Sequence, residues 1–138
     1  NTRGKMSSDL CWQVIRNNSC FLHKQRGINK LFSTEKFNLK GRNSRRYNGL
    51  VNAKAIDISP AADGKGIVLS TKTTKLNKPA KSTNEVTIKN ADRTLASVKK
   101  VAKGQGLGRY AKLAQRRAAA ILRSQRPKSQ KNSKKTEA

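Results

Sequence analysis

The chain has 138 residues, with 32 Lys+Arg against 7 Asp+Glu and a net charge of +25. That length fits one modest domain with tails, and an apolar share of 34%, with only 4% aromatic, allows a small hydrophobic core. The longest apolar run, Ala118–Leu122, is far short of the roughly 20 residues of a membrane span, and Met6 is followed by Ser7, Ser8 and Asp9 rather than by the apolar stretch of an export signal.

Residues 1–6 are read as an N-terminal extension. Ser8-Asp9 supplies a hydroxyl cap and an early acid. Leu10, Cys11, Val14 and Ile15 follow at spacings of three and four, which predicts a helix from about Asp9 to Asn17, with a strand as the rival. Asn17-Asn18-Ser19 ends it. Cys20–His23 and Leu31–Thr34 are predicted as short strands joined through Gly27. From Lys36 to Lys54 there are six cations and no acid, set among the turn formers Asn38, Gly41, Asn43, Asn48 and Gly49, so this stretch is predicted as a polar loop. Leu50–Ile58 alternates well enough for a strand, and Ile67–Thr73 is β-branched. The turn Pro60–Gly66 between them, with its Asp-Gly pair, makes this hairpin the strongest β signal in the chain. Lys75–Asn84 holds Pro79 and is predicted mobile, and Val86–Ile88 adds an edge strand.

Two helices complete the body. Asn90 caps the first, with Asp92 near its positive end; its apolar stripe is predicted as Ala91, Leu95, Val98, Val101 and Ala102, and Gly104 ends it. The second runs from about Arg109 to Gln125. At about 100° per residue, Arg109, Lys112, Arg116, Arg123 and Arg126 fall within an arc of roughly 100°. Tyr110, Leu113, Ala114, Ala118, Ile121 and Leu122 fill most of the other side. Arg117 lands in the apolar half, where it must reach out or pair. Pro127 stops the helix. Lys128–Ala138 is a basic polar tail, predicted to be disordered in free solution. The expected fold is therefore α+β: a small antiparallel sheet, a short N-terminal helix, two C-terminal helices and a basic tail, with a binding domain over 7–127 and a tail over 128–138.

No catalytic constellation is present. His23 is the sole histidine, and no two of the seven acids form a pair suited to acid–base work. Cys11, Cys20 and His23 match no common zinc spacing and lack a fourth ligand, so no metal is expected. Gly104-x-Gly106-x-Gly108 and Gly64-Lys65-Gly66 are read as turns rather than nucleotide loops. The two cysteines are read as free thiols of a reducing compartment.

Nucleic-acid chemistry is abundant instead. Arg93–Lys135 holds fourteen cations, with no acid between Asp92 and Glu137. A body this basic repels itself unless a polyanion screens it, and cations drawn from several loops, one helix face and a tail suit an irregular folded RNA better than a duplex groove. An anionic membrane surface is the second option. The predicted RNA contacts are Lys36, Lys40, Arg42, Asn43, Arg45, Arg46, Tyr47, Lys54, Lys65, Arg109, Lys112, Arg116, Arg123, Arg126 and Lys128. Arginine offers bidentate phosphate contacts and base stacking. Tyr47 stays open between stacking on an unpaired base and closing its own loop as a half-buried aromatic. Trp12 and Phe21 are assigned to the core.

Three segments add a resemblance: Trp12–Leu22, Asn38–Ser44 and Arg46–Leu50. With Pro60–Gly66 and Arg116–Gln125 further along, the chain resembles a eukaryote-specific protein of the large ribosomal subunit, the family numbered twenty-eight in the eukaryotic large-subunit naming. The likeness spans about Ser7 to Pro127; Gly104–Gly108 stands where family members have a more ordinary polar turn. The resemblance implies a non-enzymatic component of the cytosolic large subunit, without cofactor. It would be assembled in the nucleolus and bound to large-subunit ribosomal RNA and neighbouring ribosomal proteins, with no membrane and no self-association. A ribosome-assembly factor with a similar domain is the rival; such proteins look longer and end in an acidic region, whereas this chain ends in a basic one.

Overall fold

The computed structural model describes residues 6–73, 75 and 78–127. In chain order the elements are helix α1 (Ser8–Ile15), strands β1 (Leu22–Lys24), β2 (Leu31–Ser33), β3 (Ile56–Pro60), β4 (Ile67–Lys72) and β5 (Thr83–Ile88), and helices α2 (Ala91–Gly104) and α3 (Ala111–Ser124). Single 3-10 turns lie at Pro79–Lys81 and Gly108–Tyr110. The architecture is α+β, as expected, but the strands form two sheets. β1 and β2 pair antiparallel in a small ribbon, and β3-β4-β5 form an antiparallel meander.

The core lies between the meander and the two C-terminal helices. Strand alternation delivers Ile56 and Ile58 from β3 and Ile67 and Leu69 from β4, with Ile58 directly opposite Leu69. Val98 and Ala102 of α2, Leu107 and Tyr110 of the connecting turn, and Ala111, Ala114 and Ala118 of α3 close the other side. The small side chains at 102, 114 and 118 let the helices approach closely. Eleven buried residues form this cluster, which matches the small core expected from composition. Gly66 ends the β3–β4 turn at φ +87°, and a Cβ there would lie 2.8 Å from Lys89 Cα and closer still to the Ile88 carbonyl oxygen. Gln125 then clamps that turn, accepting from the Gly66 N–H at 2.9 Å and donating to its carbonyl at 2.8 Å.

Several expectations are corrected. The strand predicted over Leu50–Ile58 begins only at Ile56; residues 50–54 are turn and bend backbone, Val51 and Ala53 have no strand partner, and only the Ala55 carbonyl, accepting from the Lys72 N–H at 3.1 Å, extends the ladder. The cap of α1 is Ser7, whose hydroxyl accepts from the Asp9 N–H, rather than Ser8. On α2 the buried row is Thr94, Val98 and Ala102, while Ala91 and Leu95 are exposed. Thr94 donates its hydroxyl to the Asn90 carbonyl, which satisfies the polar atom and frees its methyl for packing. Trp12 and Phe21 are half-buried and lie outside the core cluster. Thr83–Ile88 makes a longer edge strand than Val86–Ile88, and part of the segment predicted mobile (75–84) is ordered as a 3-10 turn and strand. The tail 128–138 and residues 1–5 lie outside the described residues.

Candidate nucleic-acid interface

The loop between β2 and β3 is organised by a buried carboxylate at its start. Glu35 is 6% exposed. Its Oε1 accepts from Asn38 Nδ2 at 2.9 Å and from the Gly49 N–H at 3.3 Å, and its Oε2 accepts from Asn48 Nδ2 at 3.1 Å. Both asparagines are used at their other ends. Asn38 Nδ2 also donates to the Arg42 carbonyl, and its Oδ1 accepts from the Lys40 N–H. Asn48 Oδ1 accepts from the N–H groups of Leu50 and Val51. Asn52 Nδ2 ties the Asn48, Arg46 and Arg45 carbonyls together. Gly49 packs so closely on Lys36 and Phe37 that a Cβ there would lie 2.8 Å from Phe37 Cβ. Phe37 takes a left-handed conformation at φ 69°, and its ring is 9% exposed.

From β4, Lys72 reaches under this loop and donates to the carbonyls of Gly49 and Asn52, with its Nζ 5.5 Å from the centre of the Phe37 ring. Burial pushes the Lys72 ammonium below the ordinary lysine range, and the charge of Glu35 partly opposes that shift. A buried acid and a half-buried base thus hold the inner side of the loop, while its outer side is left to cations.

On that outer side, Lys40, Arg42, Arg46 and Lys54 are exposed. Lys40, Arg46 and Lys54 lie around an aromatic pair: Tyr47 meets Tyr110 edge-on, with ring centres 6.1 Å apart at 62°, while Arg42 bridges to Phe32 of β2. The Tyr110 hydroxyl donates to the Arg46 carbonyl at 2.7 Å, which joins the loop to the start of α3. Lys40 Nζ lies 5.0 Å and the Arg46 guanidinium 5.7 Å from the Tyr47 ring centre, and the Arg109 guanidinium lies 4.9 Å from that of Tyr110. Each cation rests on a ring face, which holds its charge near the surface at low entropic cost. A cavity between the pair and the loop has about 20 Å³ of interior, room for one water molecule at most. That space is too small for a small-molecule ligand.

Around the corner, Lys112, Arg116, Arg123 and Arg126 are exposed along α3, as its periodicity predicts. Arg117, the exception, turns inward: it donates to the Asn38 carbonyl at 2.9 Å and lies 3.6 Å from Asp57 Oδ1, a buried oxygen with no hydrogen bond among the described residues.

Residues 10–124 match the Ribosomal L28e protein family. The chain belongs to this family. It is 58% identical over 120 residues to the large ribosomal subunit protein eL28 of Caenorhabditis elegans, covering 87% of this chain and 91% of that protein. The protein of the same name in Schizosaccharomyces pombe is 41% identical over 130 residues, covering 89% and 96%, and that of Dictyostelium discoideum is 36% identical over 99 residues, covering 70% and 73%. The likeness read from Trp12–Leu22 and the segments after it is thereby shown. Membership in the L28e family makes the chain a structural ribosomal protein rather than an enzyme.

Within this family member, the predicted contact residues separate into free and engaged ones. Lys40, Arg46, Lys54 and Arg109 gather at the tyrosine pair, Arg42 is exposed elsewhere on the same loop, and Lys112, Arg116 and Arg123 lie on α3 with Arg126 just past its end. Arg45 is half-buried and internally committed, donating to Asp9 Oδ1, Ser8 Oγ and Asn52 Oδ1. Asn43 donates to the Arg16 carbonyl at 2.7 Å. Lys36 pairs with Glu85 at 2.7 Å, which lowers the Glu85 pKa. Lys65 lies apart, in a groove it shares with Lys89, Arg123 and Arg126, where Lys89 pairs with Asp63 at 2.8 Å. That pair lowers the Asp63 pKa and raises that of Lys89. Lys128 lies outside the described residues. Tyr47 is half-buried with its edge contact made within the chain. Sequence reasoning missed Glu35, Asn38, Asn48 and Lys72. The one available signal was a lone acid at the border of the acid-free run, followed by asparagines at 38 and 48.

Proposed function

We propose that the chain is a structural constituent of the cytosolic large ribosomal subunit that neutralises ribosomal RNA phosphates with two adjoining surfaces. One is the cation cluster Lys40, Arg46, Lys54 and Arg109 around the tyrosine pair, with Arg42 exposed on the same loop. The other is the α3 flank of Lys112, Arg116, Arg123 and Arg126. The single observation behind this reading is the near full-length similarity to proteins named for the large subunit. The physical support is that these cations point outward from a rigid, internally satisfied scaffold, so ordering them costs little on binding. Residues 7–127 act as the binding body and 128–138 as a basic extension that adds phosphate contacts. Assembly takes place in the nucleolus, and neighbouring ribosomal proteins complete the site.

Sedimentation of the tagged chain from cells tests the proposal. It is expected in translating polysomes after a salt wash; confinement to pre-ribosomal particles would favour the assembly-factor alternative and overturn it. Charge reversal at Lys40, Arg42 and Arg46 together is expected to abolish incorporation, and unchanged incorporation would remove these residues from the interface.

A further inference from the structure

We infer that helix α1 and the groove beside it form a docking surface for an uncharged, apolar segment of another large-subunit protein, an inference that rests on the function proposed above. Seven large apolar side chains are exposed among the described residues, and four of them belong to this region: Met6 (66%), Leu10 (54%), Val14 (63%) and Leu50 (51%). Leu10 and Val14 are four residues apart on α1 and so lie on one stripe of the helix. Met6, Cys11, Ile15, Leu50 and Val51 line a groove of about 640 Å³ alongside. No residue of α1 is buried. The helix is held to the body through polar contacts at its ends: Arg45 with Asp9 and Ser8, and Asn43 with the Arg16 carbonyl.

Charge identifies the occupant. The two longest stretches of the chain without Lys or Arg are residues 6–15 and 55–64, ten residues each. The second contains β3, whose apolar residues are in the core. The first is on the surface of a protein of net charge +25. Phosphates gain little from a surface so poor in cations: of those beside it, Arg45 is taken by Asp9 and Asn52 and Lys72 by the carbonyls of Gly49 and Asn52, which leaves, among the described residues, the exposed Arg16 at the end of α1. A second copy of the chain would bring another +25 to the contact, which disfavours self-association. An apolar segment of a different protein meets neither obstacle, and exposed apolar area of this kind gains free energy when covered.

The test places the photo-cross-linking residue p-benzoylphenylalanine at Val14, and separately at Leu10, in the full-length chain expressed in cells. Salt-washed large subunits are then irradiated. Because both positions are exposed, neither replacement disturbs the fold. The expected result is a cross-link from both positions to one and the same large-subunit protein. A cross-link to ribosomal RNA, to a second copy of the chain, or none at all overturns the inference while leaving the proposed function standing; absence of the tagged chain from large subunits overturns the function itself. As a second measurement, the double variant Leu10→Glu/Val14→Glu is expected to be retained on washed subunits at least about tenfold less than the parent, tenfold being a low bound for two aliphatic side chains withdrawn from an interface. That loss is expected to be equal at low and high salt, unlike losses from cation variants. Retention equal to the parent overturns the inference.

Discussion

Glu35→Gln isolates what the buried carboxylate does, because it changes one atom and almost no volume. The new amide nitrogen must take one of two places. At the Oε1 position it faces two donors, Asn38 Nδ2 and the Gly49 N–H; at the Oε2 position it faces one, Asn48 Nδ2. The second is milder, yet Asn48 cannot turn its amide over to accept, since its Oδ1 already accepts from Leu50 and Val51. The substitution therefore loses one hydrogen bond to a charged acceptor and leaves a buried donor without a partner, each worth about 1.5–3 kcal/mol. With partial relaxation of the loop, the net destabilisation is about 3 kcal/mol. At this chain length that corresponds to a melting point lower by about 12 °C. Thermal unfolding of the full-length chain followed by far-UV circular dichroism, with about 0.5 M salt to screen self-repulsion, measures it. A variant melting within about 3 °C of the parent, less than 1 kcal/mol on the same scale, would refute the view that Glu35 holds the loop.

Four further outcomes follow from the same geometry. Lys40→Ala, Arg46→Ala and Arg109→Ala should each reduce the slope of log affinity for ribosomal RNA against log salt by about one, whereas Arg45→Ala should lower stability and leave the slope nearly unchanged; filter binding across a salt series separates the two. Arg117→Ala strands Asp57 Oδ1 and should cost about 2 kcal/mol in urea unfolding, discounted for the partial exposure of the guanidinium, with Asp57→Asn in the same chain recovering part of it. Gly66→Ala should unfold the hairpin turn, since a Cβ meets the Ile88 carbonyl, while Gly64→Ala, at φ +69° with nothing within 4 Å, should cost only about 1 kcal/mol. Lys72 is depressed below its ordinary 10.5 when folded, so between the two values the unfolded chain binds more protons; stability should rise as pH climbs towards 10.5, and Glu35→Gln, by removing the charge that opposes the shift, should start that rise at lower pH.

What the sequence made legible divides along the range of the interactions. The β3–β4 hairpin, α2 and α3 were visible because each declares itself within a dozen residues: an Asp-Gly turn between β-branched runs, an asparagine cap, a cationic arc opposite an alanine-rich one. Even Arg117 was marked as an intruder in the apolar half of its helix. Thr94 was not marked, because its place in the core depends on a hydroxyl being satisfied by its own helix, and residue type alone assigns it to the surface. The strand over Leu50–Ala55 was misread for the opposite reason. Alternation there is genuine, but without a partner strand the backbone turns instead to satisfy Asn48 and Asn52.

The candidate site shows the same division. Its exposed cations could be read one residue at a time, since charge density needs no contact map. Which of them are available could not. Arg45 and Arg46 are neighbours in the chain, yet one is fixed by Asp9, 36 positions away, while the other stays exposed beside Tyr47. Lys36 and Lys40 differ in the same way, through Glu85. Only seven acids are set against 32 cations; Asp9, Asp57, Asp63 and Glu85 each engage one cation, Arg45, Arg117, Lys89 and Lys36, and Glu35 shapes the loop that presents the rest. In a protein this basic, which cations are left unpaired is therefore set as much by its few carboxylates as by its many cations. On that ground, neutralising Glu85 should release Lys36 and strengthen RNA binding. Glu85→Gln leaving RNA affinity at low salt unchanged would show that the pair withholds nothing.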